Sequence, residues 1–163
     1  MKFILYSSFL LLLAPCNGPK STSSSSPPAD AGIKLKKMII SYEKTVCFGT
    51  CPAFTMTING ETNKITYKGD SNVEKIGNYE KSISDEDLSK LAETFEKNKF
   101  FEMKDEYNGQ MTDLPSKYVS LSYDGKSKKV RDRYNAPAEL KEIEKSLDAI
   151  ADSEGWEKVK DPE

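Results

Sequence analysis

Cys47 and Cys51 carry the chain's clearest chemical potential, because only Phe48, Gly49 and Thr50 separate their thiols. Such a pair can close a disulfide, cycle as a redox centre, or offer thiolates to a metal. Thioredoxin-like redox centres use two intervening residues at a helix start, where a thiolate is stabilised. Here three residues intervene, and a strand pattern follows Pro52. A disulfide needs Cα atoms about 4.4–6.8 Å apart, whereas four extended residues would cover about 13 Å. The bridged reading therefore requires a turn. Gly49 would permit unusual backbone angles and Pro52 would fix the exit. A loop this short contributes about 2 kcal/mol, enough to organise one turn but not a fold. The closed turn would display Phe48, Gly49 and Thr50 as a binding loop.

A second concentration of chemistry is acidic. Asp105, Glu106 and Asp113, with Tyr107, occupy the polar segment from Lys104 to Ser116. Two carboxylates at the right separation perform glycosidase-type acid–base work. The plainer account is a solvated loop, with Asp113 making a local turn before Pro115. A third concentration is basic: Lys126, Lys128, Lys129, Arg131 and Arg133 crowd one strand. Lys129, Arg131 and Arg133 could bind a phosphate or an acidic glycan. Lysines in such a place also guard an exposed sheet edge against mispairing.

The chain contains no histidine. That removes the commonest general base, the commonest catalytic zinc ligand and any Ser-His or Cys-His nucleophile system. The formal charge of −2, with acids and bases mixed, lacks the basic concentration a nucleic-acid partner requires. No cofactor is expected.

The N-terminus says where the chain works. Lys2, the apolar run Phe3–Leu13 and Leu13-Ala14-Pro15-Cys16 have the order of a secretory signal. The run falls short of the roughly 20 residues that span a bilayer. A cysteine at its end resembles the bacterial lipobox, in which the cysteine becomes lipidated. Pro15 stands where Gly, Ala or Ser is usual, and ordinary signal-peptidase processing is the rival reading. If Cys16 carries lipid, Cys47 and Cys51 remain as one pair, and export favours their oxidation. The reading is residues 1–15 as signal peptide and 16–32 as lipidated cysteine and Ser/Pro-rich tether. Residues 33–157 then form a single α+β domain, with 158–163 as a disordered tail.

Within the domain, Leu35–Val46 is rich in β-formers. Ala53–Asn59 alternates, with Phe54, Met56 and Ile58 on one face, and Lys64–Lys68 returns after Asn59-Gly60. Val73–Ile83 reads as a further strand or two. Ser84 followed by Asp85, Glu86 and Asp87 opens a helix, and Leu88, Leu91, Ala92 and Phe95 continue it. Phe100, Phe101 and Met103 should plug the core. Tyr118–Tyr123, Asp124-Gly125 and Ser127–Tyr134 read as a hairpin. Pro137 opens a second helix through Leu140, Ile143, Leu147 and Ile150. The expected architecture is α+β: an antiparallel sheet of about five to six strands with two helices packed on one face.

The run Cys47-Phe48-Gly49-Thr50-Cys51-Pro52 and the aromatic-bearing strand after it resemble a family of uncharacterised exported bacterial domains. That family is common in Bacteroidota lipoproteins and is catalogued as domain of unknown function 6438. Gly60, Ile65-Thr66-Tyr67-Lys68-Gly69, Asp113-Leu114-Pro115, Gly125, Lys129-Val130, Pro137, Leu140 and Trp156 extend the resemblance across Ile39 to Trp156. It implies a fold and an exported location, and no catalytic residue.

The functional expectation is a non-enzymatic binding module, held to a membrane by its N-terminal lipid. It would work in the cell envelope as a periplasm-facing outer-membrane lipoprotein, with an envelope protein or cell-wall component as partner. The alternatives are a histidine-free hydrolase using Asp105, Glu106 or Asp113, and a thiol–disulfide oxidoreductase at Cys47/Cys51.

Overall fold

The computed structural model describes residues 34–110 and 113–160. The expected signal peptide, lipidation at Cys16, the tether and residues 161–163 lie outside the described residues. After a helical segment over residues 34–36, the order is β1 (Ile39–Lys44), β2 (Ala53–Asn59), β3 (Lys64–Ser71) and β4 (Gly77–Ser82). Helix α1 (Asp85–Lys97), a 3-10 turn (Phe100–Glu102), β5 (Glu106–Tyr107), β6 (Lys117–Tyr123) and β7 (Lys126–Asp132) follow. Helix α2 (Ala138–Asp152) and β8 (Glu157–Lys158) complete it.

All eight strands join one sheet in the order β5-β7-β6-β1-β2-β3-β4-β8. Every pairing is antiparallel except β5 with β7. The α+β class matches the expectation, and the detail corrects it. Among the described residues there are eight strands rather than five to six, and a third helical segment precedes β1. The two extra strands, β5 and β8, are two residues long, too short for any alternation to register. β5 also turns part of the expected Lys104–Ser116 loop into sheet. Strand β8 takes in Lys158, and Val159 N–H donates to Asn78 C=O at 3.0 Å. Ordered pairing thus reaches beyond the expected domain end at 157.

Alternation sorts the strands into two faces. Ile40 and Tyr42, Phe54, Met56 and Ile58, Ile65 and Tyr67, Val119 and Leu121, and Val130 all face one core. Leu88, Leu91, Ala92 and Phe95 of α1 join it, as do Leu140, Ile143 and Leu147 of α2. Phe95 and Phe100 are buried, while Phe101, Met103 and Trp156 pack against the core partly exposed. The opposite face keeps exposed polar residues such as Thr55, Thr66 and Lys68.

Helix α1 starts as its sequence dictates: Ser84 Oγ accepts the Asp87 N–H at 3.1 Å. Helix α2 lies across the strands. Lys141 meets Asp132 on β7, Glu144 meets Lys117 on β6, and Asp148 meets Lys44 on β1. Helix α1 returns the other way, from Asp85 beside Asn63 to Lys97 beside Glu142. Gly60 has a different reason from the expected turn geometry. The left-handed residue after β2 is Asn63, while Gly60 lets the backbone approach Leu35 closely.

Candidate functional site at the cysteine turn

Strand β1 ends at Lys44, and the chain must reverse before β2 begins at Ala53. The reversal is fastened at three places. Thr45 N–H donates to Ser116 C=O at 3.0 Å, and Ser116 N–H donates back to Thr45 Oγ1 at 2.9 Å. Cys47 and Cys51 form a disulfide with Cα atoms 5.7 Å apart, inside the range an unforced bridge needs. Asn72 Nδ2 donates to Cys51 C=O at 3.2 Å. Between these fastenings Phe48 is 96% exposed and Val46 64%. Gly49 and Thr50 are exposed beside them. Gly49 departs from expectation: it is not among the residues at positive φ, and its N–H donates to Cys47 Sγ at 3.3 Å.

Behind the turn lies an ion network that the sequence reading did not find. Glu144 projects from the apolar stripe of α2 and is 1% exposed. Lys117 Nζ donates to Glu144 Oε2 at 2.8 Å, and Lys141 bridges Glu144 to the buried carboxylate of Asp132. One turn further along α2, Asp148 Oδ1 accepts from the Tyr42 hydroxyl at 2.9 Å and from Lys44 Nζ at 2.6 Å. Burial pushes the Glu144 carboxyl above its ordinary range; Lys117 opposes the shift and Asp132 adds to it. Burial and then Asp148 push the Tyr42 phenol far up. Burial disfavours the Lys141 ammonium, yet the hydrogen bond to Asp132 and the nearby acids raise it overall. These groups are paired with one another, which fits holding α2 against the strand ends. The legible signal was Glu144 between Ile143 and Leu147 on an otherwise apolar stripe.

The expected acidic cluster is distributed. Strand β5 runs parallel to β7, which carries Asp105 to Lys128 at 2.6 Å and Glu106 to Arg131 at 3.2 Å. The Asp105 side chain is 85% exposed, and Asp113 is exposed as well. The two paired carboxylates thus address separate cations. The basic strand splits by face. Lys129 and Arg131 flank the Tyr118 ring, at 4.4 and 5.9 Å from its centroid. Arg131 Nε also donates to Ser116 Oγ at 3.2 Å, linking this strand to the root of the cysteine turn. Arg133 is half-buried and its backbone N–H donates to Tyr107 C=O at 2.9 Å. Only the two outermost residues of β7 pair with β5, so its Lys126–Val130 stretch stays at the sheet margin.

Among the described residues no three Cys, Asp or Glu side chains converge as metal ligands. No described helix is long and apolar enough to cross a membrane. No curated protein matches the chain. A family model described as Domain of unknown function (DUF6438) matches residues 38–151, from the residue before β1 to the last turn of α2. That match takes in the cysteine turn, both helices and seven of the eight strands, and the chain belongs to this family of uncharacterised domains.

Proposed function

We propose that this domain is an exported, non-enzymatic binding module that presents the Cys47–Cys51 turn to a protein partner in the cell envelope. The observation that carries this reading is Phe48, 96% exposed on a turn fastened by a disulfide and by hydrogen bonds to Ser116 and Asn72. A large apolar side chain held in water costs the free protein about 2 kcal/mol, recoverable when a partner covers it. A turn already ordered loses little further entropy on binding. The apolar run Phe3–Leu13 and Cys16 support export and lipid attachment, with the Ser/Pro-rich stretch as tether.

Two alternatives draw less support. Carboxylate catalysis needs two acids sharing a reaction site, and Asp105 and Glu106 instead engage Lys128 and Arg131. A thiol oxidoreductase stabilises its thiolate at a helix start, and Cys51 leads into β2. The test is the double variant Cys47→Ser/Cys51→Ser. It should fold, because the bridge spans one short loop, and its affinity for the partner should drop. Unchanged affinity would remove the turn from the binding surface.

A further inference from the structure

Between them, α1 and α2 leave a groove of about 370 Å³ over β3 and β4, within the range of small-ligand sites. Its apolar lining comes from Ile65, Ile83, Leu91 and Ile150. Lys81, from the inward face of β4, stands at one end. Lys81 Nζ donates to Ser153 Oγ and to Glu154 C=O, the latter at 3.4 Å, and lies 5.0 Å from the Trp156 ring centroid. Both acceptors are neutral. Lys90, also on the rim, is already answered by Glu86 at 2.8 Å and Asp87 at 3.5 Å. Asp87 reaches Lys81 only through its field, and burial with the nearby Lys75 lowers the Lys81 pKa. Lys81 is thus a partly buried ammonium beside the apolar part of the groove, and its hydrogen-bond acceptors carry no countercharge.

We propose that this groove binds a single-chain carboxylate amphiphile of fatty-acid type, its head on Lys81 Nζ and its tail along Ile65, Ile83, Leu91 and Ile150. A carboxylate supplies the countercharge, and an unbranched chain suits the apolar side chains that line the groove. The alternative is that Lys81 only caps the C-terminal end of α2, where a cation is favourable. A capping lysine would attract anions only as any surface lysine does, without a saturable site for the attached chain.

Trp156 is the sole tryptophan of the chain and reports on Lys81 directly. The full-length chain is titrated with decanoate, decanol and decyltrimethylammonium below their micelle concentrations, following Trp156 emission. Decanoate should saturate, and the cationic probe should bind at least about tenfold more weakly, the worth of one charge-assisted hydrogen bond. Lys81→Met should remove that preference while leaving decanol affinity unchanged. Thr94→Phe, which fills the groove, should abolish binding of all three. Equal affinity for decanoate and decyltrimethylammonium, or a response that never saturates, overturns the proposal. That comparison uses the wild-type chain and stands even where a variant fails to fold. It is also independent of the cysteine turn.

Discussion

Thr45 and Ser116 hold each other through reciprocal hydrogen bonds, backbone N–H to backbone C=O in one direction and backbone N–H to Oγ1 in the other. The pair joins the exit of β1 to the entry of β6. It is the root from which the cysteine turn projects, and Arg131 braces it through Ser116 Oγ.

Thr45→Val keeps the shape of the side chain and removes its acceptor. Ser116 is buried, so its N–H is left without that bond, at a cost of about 2 kcal/mol. Chemical denaturation should show the loss, and the Ser116 amide should exchange faster with solvent. Wild-type protection at Ser116 would mean that the turn is held elsewhere.

The Glu144 carboxyl gives a pH signature. Its folded pKa lies above its ordinary value of 4.5, chiefly through burial. A raised carboxyl pKa means the fold prefers the protonated form. This group's contribution is therefore greatest below pH 4.5 and declines as pH rises through the folded value. Glu144→Gln mimics the neutral form and removes that decline. At pH 7 the variant should be at least as stable as wild type. The advantage should shrink as pH is lowered towards 4.5. A Gln variant clearly weaker at pH 7 would show that the ion pairs with Lys117 and Lys141 outweigh desolvation.

Tyrosine ionisation offers an independent check. Burial, then Asp152, pushes the Tyr67 phenol up to about 12, and Tyr42 is pushed further, by burial and Asp148. Because both folded values are raised, the fold loses stability as pH climbs past the ordinary value of 10. In an ultraviolet titration Tyr42 should ionise last, as the fold opens. Tyr42→Phe should delete that step and cost about 1 kcal/mol for the bond to Asp148. Loss of amplitude from the early part of the curve, near the ordinary value of 10, would place Tyr42 in a wetter site.

The glycines separate two kinds of constraint. A Cβ at Gly60 would sit 1.9 Å from Leu35 C=O, whereas at Gly49 it would meet only Cys47 Sγ at 3.8 Å. Gly60→Ala should therefore cost about 2 kcal/mol or more. Gly49→Ala should stay within about 0.5 kcal/mol of wild type. Thermal unfolding of the two variants decides this, and the reverse ranking would contradict the close approach at Gly60.

Much of this fold was legible because its strands alternate and its first helix is capped in sequence. Phe54, Met56 and Ile58 announced β2, and Ser84 announced α1. Strands β5 and β8 were not legible, since two residues carry no period and their pairing depends on neighbours distant in the chain. The Cys47–Cys51 spacing makes the disulfide legible, whereas Gly49 serves the turn without the positive φ that its residue type suggests. The ion network was hidden for another reason. Lys44, Lys117 and Asp132 each continue the inward phase of a strand, two residues from Tyr42, Val119 and Val130. Charged residues at strand ends ordinarily read as solvated. Only the order β7-β6-β1 sets all three beneath α2.

The most direct test of the binding role is cross-linking of the full-length protein in the cells that make it, with wild type and Phe48→Asp compared. Thermal unfolding should be unchanged, because Phe48 touches no core. Wild type should capture one dominant envelope protein, identified by mass spectrometry, and Phe48→Asp should lose it. The same protein captured in equal yield by Phe48→Asp would contradict the account.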